Sequence, residues 1–214
     1  MPSLKWTRGL SLKHSAHFPG PSTRRNPRAD PGEIREWTIL TSVTEAARVE
    51  RLSQTGTLLF IGLNPPLTSG TRTRGRVELA RSLLGFDNII HSNLFALPTH
   101  DLAGVTAVGA TEGGWLEARH QLVEQVARAD AALLGFGVQS PSGDARRWFR
   151  AQVSWLEAEL AQADTPVWEV GGAPRHPSRW QRYTHRTFSD RPFATALAEA
   201  LRQRELQSAA GSVG

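Results

Sequence analysis

The chain has 214 residues, enough for one domain with a sizeable core and too few for two ordinary ones. Hydrophobic residues make up 39% and charged residues 21%, as in a folded globular chain. No run approaches the roughly 20 apolar residues of a membrane span, and residues 1–8 lack the apolar core of a signal peptide. We therefore expect a cytoplasmic protein. Because cysteine is absent, disulfides, thiolate metal sites and cysteine nucleophiles are excluded.

The net charge is positive, and almost all of the positive charge comes from arginine. The formal net charge is +5 and the pI is about 10.8, with Lys5 and Lys13 as the only lysines. Arginine grips phosphate through two parallel hydrogen bonds and stacks on bases, and a pI above roughly 9 is typical of nucleic-acid-binding domains. The codon bias of a GC-rich genome would give the same composition. The positions of the arginines must decide between the two explanations.

The chain divides by composition into an arm, a domain and a tail. The first 35 residues are rich in proline, serine, arginine and glycine without periodicity, which predicts a flexible basic arm that carries Arg24, Arg25 and Arg28. No internal repeat and no second core pattern follows. The predicted boundaries are an arm at 1–35, a single α/β domain at 36–206 and a flexible tail at 207–214.

Within the domain, strand patterns alternate with helix patterns. The strands are mostly continuous apolar runs, as expected for parallel strands that are buried on both faces. The main predicted strands are 57–63, 88–95, 131–137 and 166–171, and the helices are 76–84, 115–129, 144–163 and 193–206, after a short strand at 37–40 and a helix at 44–52. This alternation predicts an α/β fold in which a central, mostly parallel, four-stranded sheet lies between two layers of helices.

In such folds the ligand binds beyond the carboxyl ends of the strands. This rule selects four segments as the candidate site: 64–76, 94–101, 135–144 and 171–183. In the first, Gly62 allows a close turn, and two prolines stiffen the exit so that Asn64 has a fixed direction. In the second, the carboxamide of Asn93 complements a base edge. An ordinary turn and a buried loop asparagine are the alternative interpretations of these two residues.

The fourth segment carries the strongest signal. It interleaves arginines with Trp180 and Tyr183 directly after Gly171-Gly172, and it contains no acidic residue before Asp190. Interleaved basic and aromatic residues fit phosphate binding combined with base stacking or wedging. A solvated basic face would explain the arginines but not exposed aromatic side chains beside them. The arginines are Arg175, Arg179, Arg182 and Arg186.

Other chemistries lack their motifs. The histidines show no metal-ligand spacing, no phosphate loop or dinucleotide fingerprint is present, and no Gly-x-Ser-x-Gly elbow supports a serine hydrolase. No pair of carboxylates occurs at the predicted strand ends, so two-metal nuclease chemistry is unsupported. We expect neither a metal nor a cofactor.

Three motifs, in this order on this scaffold, resemble the uracil-DNA glycosylase superfamily. They are Gly62-Leu63-Asn64-Pro65 after the first core strand, Ser92-Asn93-Leu94 at the end of the next, and His176-Pro177-Ser178 late in the chain. The chain is also similar to an uncharacterised bacterial family that shares Leu-Asn-Pro, Asn-Leu-Phe-Ala-Leu and Pro-Arg-His-Pro patterns. The resemblance covers about residues 57–190.

The resemblance implies a monofunctional DNA glycosylase that flips a base out of DNA and hydrolyses its glycosidic bond. Asn64 would position the attacking water, His176 would donate a hydrogen bond to the departing base, and Trp180 would plug the gap. Base contacts are implied for Gly62, Leu63, Pro65, Pro66, Asn93 and Phe95. DNA contacts are implied for Arg175, Ser178, Arg179, Trp180, Arg182, Arg72 and Arg74, with further phosphate contacts from the basic arm.

Two departures from the family pattern widen the expected substrate range. The first motif has Asn64 in place of the aspartate of the most active branch, which predicts weaker water activation. Pro66 replaces the tyrosine that excludes five-substituted bases, so we expect a bulky modified pyrimidine, such as those of phage DNA, and a role in phage defence. The aromatic that stacks on the base is open between Phe86, Phe95 and Phe136.

Two alternative functions remain open at this stage. One is a hydrolase of free nucleotides or nucleosides, which would need Asn64, Asn93 and His176 but not the basic segment. The other is a non-catalytic nucleic-acid-binding protein on the same scaffold. The expected partner of a glycosylase is DNA, without a membrane, and the protein is expected to be a monomer.

Overall fold

The computed structural model describes residues 56–206, all of which belong to one compact unit. The predicted basic arm with Arg24, Arg25 and Arg28 lies outside the described residues. So do the short strand predicted at 37–40, the helix predicted at 44–52 and the tail at 207–214.

Five strands and six α-helices alternate along the described residues. The strands are β1 (Thr57–Gly62), β2 (Asn88–Asn93), β3 (Ala131–Leu134), β4 (Val167–Val170) and β5 (Leu201–Arg204). The helices are α1 (Thr71–Leu84), α2 (Leu102–Val108), α3 (Gly113–Val126), α4 (Gly143–Gln162), α5 (Trp180–Thr187) and α6 (Phe193–Ala200). A short 3₁₀ turn at Pro177–Arg179 leads into α5.

The sheet order is β2-β1-β3-β4-β5, and the first four of these strands are parallel. The prediction of four strands was wrong by one, because residues 201–204 pair antiparallel with β4 and do not continue the predicted last helix. Arg204 on β5 forms ion pairs with Glu169 of β4 and Glu157 of α4, at 3.3 and 2.7 Å. Strand pairing and these ion pairs override the helix propensity of an Arg- and Gln-containing run.

Two layers of helices cover the sheet, as predicted. Alternate residues of β1 point to opposite faces, so Leu59 and Ile61 pack with α2, α3 and α4, while Leu58 and Phe60 pack with α1, α5 and α6. All four side chains are at most 5% exposed. Within residues 56–206, no helix is both long and apolar enough to cross a membrane.

The direction of the connections changes between β1 and β3, which are neighbours in the sheet. The chain leaves β1 for β2 through α1 on one face, and it leaves β3 for β4 through α4 on the other face. The two connections therefore diverge at the carboxyl edge of the sheet, which opens a crevice between them. Ligands of open α/β sheets bind in such crevices.

Gln152 ties the layer of α3 and α4 to the loop that follows β2. Its side chain is fully buried on α4, and Nε2 donates to the main-chain oxygens of Leu94 and Trp115 at 3.0 and 3.1 Å. Its Oε1 accepts a hydrogen bond of 2.9 Å from Nε of Arg119. One amide thus joins three elements beneath the crevice.

We expect Gln152→Leu to lower the free energy of unfolding by about 2 kcal/mol, because buried carbonyl groups lose a donor without access to water. Urea denaturation with unchanged slope would measure the loss. Gln162→Leu, at an exposed position on the same helix, is the control and should change stability by less than about 0.5 kcal/mol. Equal stabilities of the two variants would contradict the assigned role.

Candidate functional site

A cavity of about 1100 Å³ opens at the carboxyl edge of the sheet, in the crevice beside β1 and β3. Each of the four segments selected by the strand-end rule contributes to its wall. The lining residues include Asn64 from the first, His100 and Asp101 from the second, Phe136 to Gln139 from the third, and Arg175, His176 and Tyr183 from the fourth, with Leu63 and Leu102 next to the first two segments. The cavity is therefore the candidate active site.

The amide nitrogen of Asn64 is held by hydrogen bonds within the protein. Nδ2 donates to the main-chain oxygens of Pro65 and Thr99, at 3.0 and 2.9 Å. An amide has two N–H groups, so both donors are used. Oδ1 has no protein donor among the described residues and remains an acceptor for a water molecule or a ligand hydroxyl.

Asn93 does not line the cavity, so the prediction that it reads a base edge is not supported. With its carboxamide oriented to satisfy both ends, Nδ2 donates to the main-chain oxygens of Asn64 and Ser92, at 3.0 and 3.2 Å. Gly62 leaves the space for this amide, because a Cβ there would lie 2.8 Å from the end of the Asn93 carboxamide. Asn93 and Gly62 therefore support the loop that carries Asn64.

His176 also lines the cavity, and its hydrogen bonds fix the ring as a hydrogen-bond donor through Nε2. The N–H of Ser178 donates to Nδ1 at 3.2 Å, and Oγ of Ser178 lies 2.8 Å from the same nitrogen. A main-chain N–H can only donate, so Nδ1 accepts, and the neutral ring carries its proton on Nε2. Burial, followed by the charges of Arg179 and Arg76, lowers the pKa of His176 and favours this neutral form.

The loop that carries His176 is fixed to α1. Nη1 of Arg76 donates to the main-chain oxygen of Pro177, and Nη2 donates to Oε1 of Gln181, both at 2.9 Å. The 3₁₀ turn that begins at Pro177 then leads directly into α5. The sequence analysis did not predict a role for Arg76. The structure shows that this residue positions the loop.

Four arginines line the same cavity: Arg175, Arg179, Arg182 and Arg186. The ion pairs of the described residues involve other arginines, and none of these four has a carboxylate of residues 56–206 within 4.0 Å. The guanidinium of Arg175 lies 4.3 Å above the ring of Tyr183, and its buried Nε–H has no acceptor among the described residues. Unpaired, positioned guanidinium groups form a site for an anion.

Tyr183 in turn packs against the glycine turn. Gly171 and Gly172 adopt φ of +66° and +67°, and a Cβ on Gly171 would lie 2.2 Å from the Tyr183 ring. Only glycine accepts both the left-handed conformation and this approach. The Gly-Gly turn thus seats the tyrosine that supports Arg175.

The prediction that Trp180 is an exposed wedge was wrong. Its side chain is 0% exposed, packs in the core between the sheet and α1, α5 and α6, and donates from Nε1 to the main-chain oxygen of Arg175 at 2.6 Å. The residue is the first of α5 and points inward. Trp180 therefore supports the site from behind.

The remaining predicted contacts divide into those at the cavity and those away from it. Leu63, Ser178 and Phe136 line it, which leaves Phe136 as the aromatic of the three candidates that a bound base could contact. Phe95 packs against Trp115 with ring centroids 4.6 Å apart, and Phe86 belongs to the opposite core face, so both are core residues.

Four of the predicted contact residues lie away from the cavity: Pro65, Pro66, Arg72 and Arg74. Arg72 and Arg74 are nevertheless exposed at the start of α1.

Sequence reasoning missed Asp101 and Val138 as site residues. Both line the cavity, and Val138 is 60% exposed despite its apolar side chain. Both lie in segments that the strand-end rule had selected, so their positions carried the signal. Neither belongs to a motif of the resemblance.

No protein-family model matches the chain, and no curated protein and no solved structure is significantly similar to it. The resemblance to the uracil-DNA glycosylase superfamily stays a prediction.

We expect His176 to remain neutral below the pH at which an exposed histidine takes up a proton, because burial and two neighbouring arginines lower its pKa. Nitrogen NMR of the imidazole should show the proton on Nε2 and a titration midpoint below the ordinary range. Arg179→Gln should raise that midpoint, since it removes a positive charge, whereas Arg150→Gln on α4 should not. A midpoint at or above the ordinary range in wild type would contradict this assignment.

Proposed function

We propose that this protein is a DNA glycosylase that hydrolyses the N-glycosidic bond of a flipped-out modified pyrimidine and leaves an abasic site. The observation that carries the proposal is that Asn64 and His176 line the same cavity. One offers a free acceptor and the other a neutral N–H donor. The attacking water needs the acceptor, and the departing base needs the donor.

The chemistry follows from the charges that develop. As the bond between C1′ and the base nitrogen breaks, the electron pair leaves with the base and the sugar becomes an oxocarbenium ion. Nε2–H of His176 would stabilise the negative charge on a base oxygen, in the manner of an oxyanion hole. Oδ1 of Asn64 would orient the water that attacks C1′. A neutral imidazole donates this hydrogen bond without taking up a second proton, which agrees with the lowered pKa of His176.

The basic wall favours a substrate with phosphates. Arg179, Arg182 and Arg186 are exposed, free of carboxylate partners among the described residues, and adjacent to the cavity. Flipping also requires a side chain that fills the vacated stack. Since Trp180 is buried, the exposed apolar Val138 at the cavity wall would take that place.

The size of the cavity favours a base larger than uracil. Its volume of about 1100 Å³ lies just above the roughly 300–1,000 Å³ found for small-molecule sites. Pro66 is exposed and forms no wall against a five-substituent. A bulky five-substituted pyrimidine of phage DNA is therefore the proposed substrate, and defence against such DNA the proposed role.

The same volume supports a second candidate function. A cavity of about 1100 Å³ lined by four arginines would also accept a whole free nucleotide with its phosphates. The protein would then be a nucleotide glycosidic-bond hydrolase with the same two catalytic groups. Release of free base from nucleotides, at a rate above that from DNA, would favour this function.

Incubation of the wild-type protein with DNAs that carry modified pyrimidines should produce alkali-labile abasic sites. His176→Ala and Asn64→Ala should each reduce single-turnover base release by about 100-fold or more, because each removes a group that acts in the transition state. DNA affinity, measured by fluorescence anisotropy, should change little in both variants.

His120→Ala is the matched control, because His120 is exposed on α3 and does not line the cavity. It should retain wild-type activity. An absence of abasic sites in every DNA tested, modified phage genomes included, would contradict the glycosylase function. Binding without cleavage would then favour the non-catalytic nucleic-acid-binding alternative.

Phosphate contacts should make DNA affinity strongly salt-dependent. We expect Arg182→Ala to weaken DNA binding independently of sequence and to reduce the slope of log affinity against log salt by about one. Arg150→Ala, at an exposed arginine on α4 away from the cavity, should leave the slope unchanged. Equal slopes for the Arg182 and Arg150 variants would exclude this arginine from the interface.

A further inference from the structure

Asp101 is the single carboxylate among the described residues that line the cavity. It lies two residues after Thr99, whose main-chain oxygen accepts the hydrogen bond from Nδ2 of Asn64 at 2.9 Å. Oγ1 of Thr99 in turn donates to the main-chain oxygen of Asp101 at 3.1 Å. Two successive hydrogen bonds thus connect the Asn64 side chain to the main chain of Asp101.

One oxygen of the Asp101 carboxylate is already occupied. Oδ1 accepts from the N–H of Gly104 at 2.9 Å and caps the first turn of α2. Oδ2 has no partner among the described residues. The cap holds the carboxylate through one oxygen, and the other oxygen is left without a partner among residues 56–206, on a residue that lines the cavity.

The carboxylate is also kept apart from the arginines of the same cavity. None of Arg175, Arg179, Arg182 and Arg186 lies within 4.0 Å of it. Opposite charges that share a cavity without forming an ion pair create a field across the space between them. Such a field favours a ligand that is anionic at one end and becomes cationic at the other.

We propose that Asp101 is a catalytic residue that accepts the proton of the attacking water and stabilises the cationic sugar, and this inference rests on the proposed glycosylase function. When the base leaves with the bond electrons, C1′ becomes cationic near the carboxylate. The water oxygen forms the new bond to C1′ while one of its protons passes to Oδ2. That proton then leaves to solvent or to the base anion, and the products are a free base and an abasic sugar with a hydroxyl at C1′.

This assignment explains how a site with Asn64 would activate water. A carboxamide orients a water molecule but takes no proton at neutral pH. Asp101 supplies the missing proton acceptor from the neighbouring loop. The alternative is that Asp101 only caps α2.

Asp101→Asn separates the two roles, because asparagine caps a helix as well as aspartate does but carries no charge. The single-turnover rate of base release should fall by about 100-fold. Affinity for the same DNA should stay equal or increase, since a negative charge that faces phosphates is removed. Asp101→Ser, which also keeps a cap, should show the same loss.

Asp144→Asn provides the control, because Asp144 is exposed in the first turn of α4 and does not line the cavity. It should keep the wild-type rate. Thermal melting should give unchanged transitions for the Asn variants, which excludes unfolding as the cause of any loss. Rates of Asp101→Asn and Asp101→Ser within about threefold of wild type would overturn the proposal and leave Asp101 as a cap.

A double variant tests whether the two residues act on one water. The losses in Asn64→Ala and Asp101→Asn should be far from additive when combined, because both act through the same molecule. Additive losses would overturn a shared water. A wild-type protein that is inactive on every DNA would overturn the glycosylase function itself, whereas an active wild type with an equally active Asp101→Asn would overturn only the role of Asp101.

Discussion

The burial of β1 on both faces is the constraint on which the site depends. Leu58 and Phe60 pack into one helical layer, and Leu59 and Ile61 into the other. In the sheet β1 lies between β2 and β3, and the chain leaves β1 toward β2 but leaves β3 toward β4. Since α1 and α4, which follow β1 and β3, pack on opposite faces, the two connections diverge at the carboxyl edge. The cavity is a consequence of the order of the strands, and the loops after β1 and β3 form part of its wall.

The charges of the cavity are arranged at a cost to stability that a ligand would offset. Four arginines without carboxylate partners among the described residues repel one another, and the buried Nε–H of Arg175 lacks an acceptor. Stacking on Tyr183 and the Gly171 turn hold Arg175 in this position nonetheless. Burial, followed by the charges of Arg179 and Arg76, lowers the pKa of His176 and favours its neutral ring. In the proposed complex, Arg179 would therefore both bind phosphate and favour the neutral form of the histidine.

Much of the fold follows from periodicity in the sequence. The four apolar runs are four parallel strands, and the predicted boundaries extend one to three residues past the observed strand ends. The segment 201–204 was missed, because its strand conformation depends on pairing with β4, which no local pattern records. The seven-residue helix α2 was also missed. Its capping residue Asp101 lies in a segment that was predicted to be a loop.

The candidate site was predictable partly from the positions of the strand ends and partly from motifs. Asn64 and His176 were both named from motifs and both line the cavity. Asn93 belongs to a motif as well, yet its amide is used within the protein. Whether a polar side chain faces a cavity or a neighbouring loop depends on contacts across the sheet. The strand-end rule selected the loop of Asp101 but could not rank the residues within it.

The basic and aromatic segment shows how one pattern supports two interpretations. Trp180 and Thr184 are four residues apart and buried, whereas Arg179, Arg182 and Arg186 follow at intervals of three and four and line the cavity. These are the intervals of an amphipathic helix, and α5 is that helix. The aromatic side chains therefore anchor α5 to the core, and the arginines form its outer face. In the proposed complex, the arginines of this helix would bind the DNA phosphates. Val138, in the loop after β3, would fill the gap left by the flipped base.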